Sequence, residues 1–81
     1  MAKCDELLAR ARRNPAGLRF VELCKLAECH RFEFARQKGS HRVYRRIGTS
    51  LLLTFQDVRG MAKAYQVRQL LDVIDVHDEG E

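Results

Sequence analysis

No stretch of this 81-residue chain approaches the roughly 18–20 consecutive apolar residues that a membrane-spanning helix needs, so no membrane partner is expected. No apolar h-region follows the basic N-terminal residues, so no secretory signal is expected and the cytoplasm is the expected location. Cysteine is scarce and unpatterned: Cys4, Cys24 and Cys29 are odd in number and contain no Cys-x-x-Cys pair. His30 beside Cys29 is a fragment of a ligand set at best, because adjacent helical positions diverge, and no metal or cofactor is expected. Cys4 and Cys24 fall on apolar helical stripes, where a free thiol behaves as a small buried hydrophobe. The chain has no phosphate-cradling glycine loop, no carboxylate pair at a glycosidase or metal spacing, no internal repeat and no low-complexity segment. Acid is missing as well, from one place in particular: residues 36–46 hold five Lys or Arg, one His and one Tyr, and no Asp or Glu.

What is present fits one small α+β domain over residues 1–81, with nearly half its residues hydrophobic and about a third charged. A chain of this length buries only about 60–65% of its unfolded surface, so its core is thin. The formal charge of +4 conceals an asymmetry, since residues 72–81 contain five acids and no Lys or Arg. The first 71 residues are left with 15 basic against 6 acidic side chains. A basic body suggests nucleic acid, an acidic protein or an anionic membrane surface as partner. Residues 76–81 are expected to form a solvated acidic tail.

Hydrophobic periodicity predicts the order ααβββα. Cys4, Leu7, Leu8 and Ala11 lie at i, i+3, i+4 and i+7, the spacing of one helical face over residues 3–13. Asp5 and Glu6 early, with Arg10, Arg12 and Arg13 late, complement the helix dipole. Asn14-Pro15-Ala16-Gly17 ends that helix. A second helix spans about 19–30 on Phe20, Leu23, Cys24 and Ala27. Strands over 32–37, 41–46 and 51–56 are joined by turns at Lys38-Gly39-Ser40 and Gly48-Thr49-Ser50, which describes an antiparallel meander. Arg59-Gly60 breaks the chain before a third helix over 62–75 with Val67, Leu70, Leu71 and Ile74 inward. The three helices are expected to cover one sheet face and to leave the other open.

The strand His41–Arg46 is the chemically suggestive one. Its residues alternate faces. Val43, its one aliphatic residue, is expected to point to the helices, which would put Arg42, Tyr44 and Arg46 on the open face. Two guanidiniums flanking an aromatic ring can grip phosphates and stack on an unpaired base; equally, Tyr44 could pack while the arginines keep the face soluble. His41 falls on the Val43 side by parity but starts the strand at a turn, where it can stay exposed. A neutral imidazole there could take the proton of a ribose 2′-hydroxyl or give one to the leaving 5′-oxygen, with Lys38, Arg42 or Arg45 stabilising charge on phosphorus. Gly39 and Ser40 would let a phosphate approach the backbone closely, unless Gly39 merely makes the turn. A lone histidine is more often structural or solvated, and His30 and His77 carry little weight.

Phe32-Glu-Phe-Ala-Arg-Gln-Lys-Gly-Ser-His41-Arg-Val-Tyr44 resembles the central signature of HicA-type toxins. Leu18-Arg-Phe20-Val-Glu-Leu23 is similar to the helix that opens that domain, and Ala62-Lys-Ala-Tyr65-Gln-Val67-Arg68-Gln-Leu70-Leu71 to the helix that closes it. The likeness spans roughly residues 14–75. It implies a small double-stranded-RNA-binding-like fold and an mRNA interferase whose catalytic His41 lies in the Gly-Ser-His motif. It further implies a HicB-type antitoxin as partner. The chain departs from the family pattern at Arg42, where a second His often follows, and at Arg31, where a Gly usually precedes the first strand's Phe. The helix at 3–13 is an addition to the shortest members.

Residues and resemblance together leave three alternatives. One is a metal-independent endoribonuclease of mRNA with His41 as general acid and base, and with Arg36, Lys38, Gly39, Ser40, Arg42, Tyr44, Arg45 and Arg46 holding the strand. Another is a non-catalytic RNA-binding module using the same surface. The last is a docking surface for an acidic protein, which is compatible with the first.

Overall fold

The computed structural model describes residues 2–79, and side chains within residues 3–77. The elements are α1 (Ala2–Arg13), a 3-10 turn (Pro15–Gly17), α2 (Phe20–Cys29), β1 (Phe32–Lys38), β2 (His41–Arg46), β3 (Leu52–Val58), β4 (Met61–Ala62) and α3 (Ala64–Glu79). They form a small α+β domain whose antiparallel sheet has the order β1-β2-β3-β4. The expected sheet of three strands is corrected to four. The fourth strand is only two residues long and is fixed by neighbours rather than by its own pattern. Val58 pairs with Met61 across the Arg59-Gly60 turn, and Met61 bridges to Arg19. The Ala62 N–H also bonds the Leu18 carbonyl at 3.0 Å.

Helix periodicity becomes burial as the sequence predicts. Leu7 and Ala11 of α1, Phe20, Leu23, Leu26 and Ala27 of α2, and Val67, Leu70, Leu71 and Ile74 of α3 enter one core with Phe32, Tyr44 and Phe55 of the sheet. Each large aliphatic side chain so buried contributes about 1.5–3 kcal/mol. α2 and α3 lie against the sheet, while α1 packs chiefly on α2, α3 and the 3-10 turn, as an outer layer. Arg10 grips Glu22 with both guanidinium nitrogens, at 2.7 and 3.1 Å, and Arg12 reaches Asp75 of α3 at 2.8 Å. These exposed pairs orient α1 more than they stabilise it.

Cys4 does not remain free: it forms a disulfide with Cys29, with the two Cα atoms 6.1 Å apart. Helical spacing places Cys4 correctly at the edge of an apolar stripe but says nothing of the tertiary neighbour that the return of the chain supplies. A bond across a sequence separation of 25 is worth about 3 kcal/mol by loop-closure entropy. Cys24 is the free, buried cysteine expected, and burial pushes its thiol pKa up. α3 continues past its expected end at residue 75, through residues 76–79, with Val76 exposed; residues 80 and 81 lie outside the described part. No helix among the described residues is long and apolar enough to cross a membrane.

Candidate nucleic-acid interface

β1 and β2 are joined by two residues, Gly39 and Ser40, with Lys38 paired to His41. Gly39 has φ +60°, as the first central residue of a II′-type hairpin turn requires, and the space where a Cβ would stand is empty for 4 Å. The Ser40 carbonyl accepts the Asp57 N–H at 2.9 Å, which locks the turn against the end of β3. His41 is exposed at this rigid end of the hairpin.

The strand's two faces are the reverse of the parity expectation. Tyr44 is 1% exposed and Arg46 6% exposed, both on the helix side of the sheet. The Tyr44 ring packs on Phe55 at 5.6 Å and edge-on against Phe34 at 6.1 Å, and its hydroxyl donates to Glu28 at 3.4 Å. Burial pushes its phenol pKa up to about 12. The Arg46 Nη1 donates to the His30 carbonyl at 3.2 Å. Arg42 is half-buried beside them. Its guanidinium lies 5.1 Å from the Phe20 ring centroid and 5.8 Å from that of Phe34, donates to Gln37 Oε1 at 3.3 Å and approaches the Cys24 sulfur at 3.8 Å. Arg42, Tyr44 and Arg46 are therefore core and core-edge residues, and the expected Arg-Tyr-Arg stacking platform on the open face is not formed. The core takes the aromatic ring in preference to Val43 because a Tyr removes more surface from water and can satisfy its hydroxyl at the edge.

A bulge in β1 brings Phe34 and Phe32 to the same side of the sheet as Tyr44 and Arg46. Counting back from the turn, an unbroken ladder would set Ala35 opposite Tyr44. The register slips between Phe34 and Arg36, so Phe34 faces Tyr44 instead.

The helix-free face follows from the registers as rows across three strands. Lys38, His41 and Gln56 form the row nearest the turn; Arg36, Val43 and Thr54 form the next; Glu33, Arg45 and Leu52 form the third. Opposed residues place their Cβ atoms about 4.5–5.5 Å apart. Beyond β3 the same face continues through Val58 and Met61 to Arg19. Arg45 pairs with Glu33 at 3.1 Å, an exposed contact that a phosphate can displace. Arg36 and Lys38 have no carboxylate within ion-pair distance among the described residues. The face thus joins an accessible imidazole, two uncompensated cations, the displaceable Arg45 and the apolar side chains of Val43, Leu52 and Val58. Of the expected site residues, the structure brings Arg36, Lys38, Gly39, Ser40, His41 and Arg45 together and separates Arg42, Tyr44 and Arg46 from them.

Sequence reading missed Gln56, Thr54, Met61 and Arg19. The first two could have been found by pairing β3 onto β2 from the turn; the others depend on β4. No group of three His, Cys, Asp or Glu among the described residues could hold a metal ion. Compared with protein-family models, with curated proteins and with solved structures, the chain finds no match.

Proposed function

We propose that this protein is a metal-independent endoribonuclease that cleaves mRNA, the toxin of a type II toxin–antitoxin pair of HicA type. The observation that carries the proposal is His41, exposed at the end of a rigid hairpin beside Lys38 and Arg36, whose charges no carboxylate of the described chain neutralises. An imidazole and a cation side by side is the minimum equipment for transesterification of RNA. His41 takes the proton of the 2′-hydroxyl as the O2′–P bond forms and the P–O5′ bond breaks. The same proton then passes to the departing 5′-oxygen, leaving a 2′,3′-cyclic phosphate. General acid–base help of this kind supplies about 10²–10⁴-fold. Lys38 stabilises the extra charge on phosphorus.

The order α2-β1-β2-β3-α3 with both helices on one sheet face is what a double-stranded-RNA-binding-like domain requires, and it supports the family likeness drawn from the Gly-Ser-His segment. An acidic HicB-type antitoxin would cover the basic face, with Val43, Leu52 and Val58 as its apolar centre, and transcripts in the cytoplasm would be the substrate.

Purified protein incubated with RNA in EDTA gives cleavage products, and His41→Ala reduces their formation at least a hundredfold while its circular dichroism stays that of the parent. Parental cleavage by the variant would end the assignment of His41. RNA retained without products by the parent itself would make the protein a binding module on the same face.

A further inference from the structure

The row that holds Lys38 and His41 has a third member, Gln56 of β3. Two observations single it out. The Gln56 N–H does not point towards β2 but outward, where it donates to Gln66 Oε1 of α3 at 2.7 Å. His41 and Gln56 are therefore a non-hydrogen-bonded pair, the type in which opposed side chains stand closest. The second observation is Gln66 itself, which is 5% exposed. A buried carboxamide costs free energy unless its polar atoms are satisfied. Its oxygen accepts from the backbone N–H of Gln56, the β3 residue opposite the histidine, and its Nε2 reaches the Tyr65 hydroxyl at 3.4 Å. The Gln56 side chain, by contrast, is half-exposed on the open face.

We infer that Gln56 is a further substrate-contacting residue of the site, its carboxamide donating to a non-bridging oxygen of the scissile phosphodiester, with Gln66 as the positioning residue that holds its backbone. The inference rests on the nuclease reading. A phosphate seated on His41 then has the Lys38 ammonium on one side and the Gln56 amide on the other. Lys38 contributes charge from a flexible stem, whereas Gln56 contributes a donor whose origin is tied to α3. A preorganised donor aimed at developing negative charge is worth about 10²–10³-fold in rate. The substrate group recognised is the phosphodiester, so the contact is independent of base identity.

The test compares cleavage of one RNA by the parent, Gln56→Ala, Gln56→Glu, Lys25→Ala and His41→Ala. Gln56→Ala is expected to lower kcat about a hundredfold with KM changed less than threefold. Gln56→Glu, which sets a carboxylate against the phosphate, lowers it further. Lys25→Ala, at an exposed position of α2 outside the site, keeps the parental kcat. Gln66→Met adds a readout that a merely structural role would not move: it lowers kcat in the parent and has no further effect in the Gln56→Ala background. Parental kcat in Gln56→Ala, with His41→Ala inactive, overturns the assignment of Gln56 and leaves the nuclease reading standing. Equal losses from Gln66→Met in both backgrounds overturn its positioning role. A parent that does not cleave, or a His41→Ala that cleaves as the parent does, ends the nuclease reading and the role of Gln56 with it.

Discussion

Arg42, Tyr44 and Arg46 alternate along β2 with His41, Val43 and Arg45: two guanidiniums around an aromatic ring on one side, an imidazole and a guanidinium around an aliphatic side chain on the other. On the helix side, one guanidinium lies between two phenyl rings, another donates to the His30 carbonyl, and the Tyr44 hydroxyl reaches Glu28. On the open side, His41 and Arg45 face solvent, and the neighbouring Arg36 and Lys38 have no carboxylate within reach among the described residues. The same residue types are structural on one face and available on the other. Charge count along a strand therefore does not measure a binding surface; the fraction left uncompensated after packing does.

Substitution of the two central residues should separate the faces most sharply. Tyr44→Ala removes a fully buried ring and leaves a cavity between Phe34 and Phe55, and it is expected to cost about 3–5 kcal/mol in a urea titration. His41→Ala, on the exposed side, is expected to change stability by less than about 0.5 kcal/mol. If Tyr44→Ala were as stable as the parent, the orientation of the strand would be wrong.

Binding offers a second way to break the comparison. Each phosphate contact made to a single strand contributes about 0.7 to the slope of log affinity against log salt. Measured in the His41→Ala background, Arg36→Ala and Lys38→Ala should each lower that slope by about 0.7. Arg42→Lys and Arg46→Lys, whose parents bond within the protein, should leave it unchanged. Equal effects from the two pairs would mean that the helix side also meets RNA.

Much of this arrangement is legible in the sequence, and the part that is not has an identifiable cause. The stripes Leu7-Ala11, Phe20-Leu23-Ala27 and Val67-Leu70-Leu71-Ile74 determine the helices because 3.6-residue periodicity is a local property. The Gly39-Ser40 turn and the exposure of His41 are also local. Facing is not. The pairing of Phe34 with Tyr44 depends on a one-residue bulge at Ala35, and a one-residue shift sends a side chain to the opposite surface. The Cys4–Cys29 bond and β4 depend in the same way on segments distant in the chain, and for β4 on the backbone of Leu18 and Phe20 in particular. The candidate site was half legible: its turn, its histidine and the cations Arg36, Lys38 and Arg45 can be named from local pattern, whereas Gln56 emerges only once β3 is laid onto β2 in register.

Alkaline titration should sharpen the contrast at smaller amplitude. The Tyr44 phenol has its folded pKa raised to about 12 by burial, above the ordinary value near 10, so the fold favours the protonated form. Its contribution is fully present below about pH 10 and is lost as pH rises towards about 12. The parent should accordingly lose more stability across that window than Tyr44→Phe, which has no proton to release. Parallel curves would show that the ring is not held in the core.

The smallest effect concerns how β1 is launched into its facing. Arg31, between α2 and Phe32, has φ +72°, the left-handed region that costs a side-chain-bearing residue roughly 1–2 kcal/mol and a glycine nothing. The conformation does a specific job: it turns the chain so that Phe32 enters the core and the Ile47 N–H bonds the Arg31 carbonyl at 2.7 Å. Arg31→Gly relieves the strain but increases the freedom of the unfolded chain, so the expected net gain is about 0.5–1 kcal/mol by thermal unfolding. Arg31→Ala keeps the Cβ and should gain nothing. A gain from alanine equal to that from glycine would trace the effect to the lost charge rather than to the backbone, and Arg31 would then be one more cation to count rather than the pivot that sets which face of the hairpin is buried.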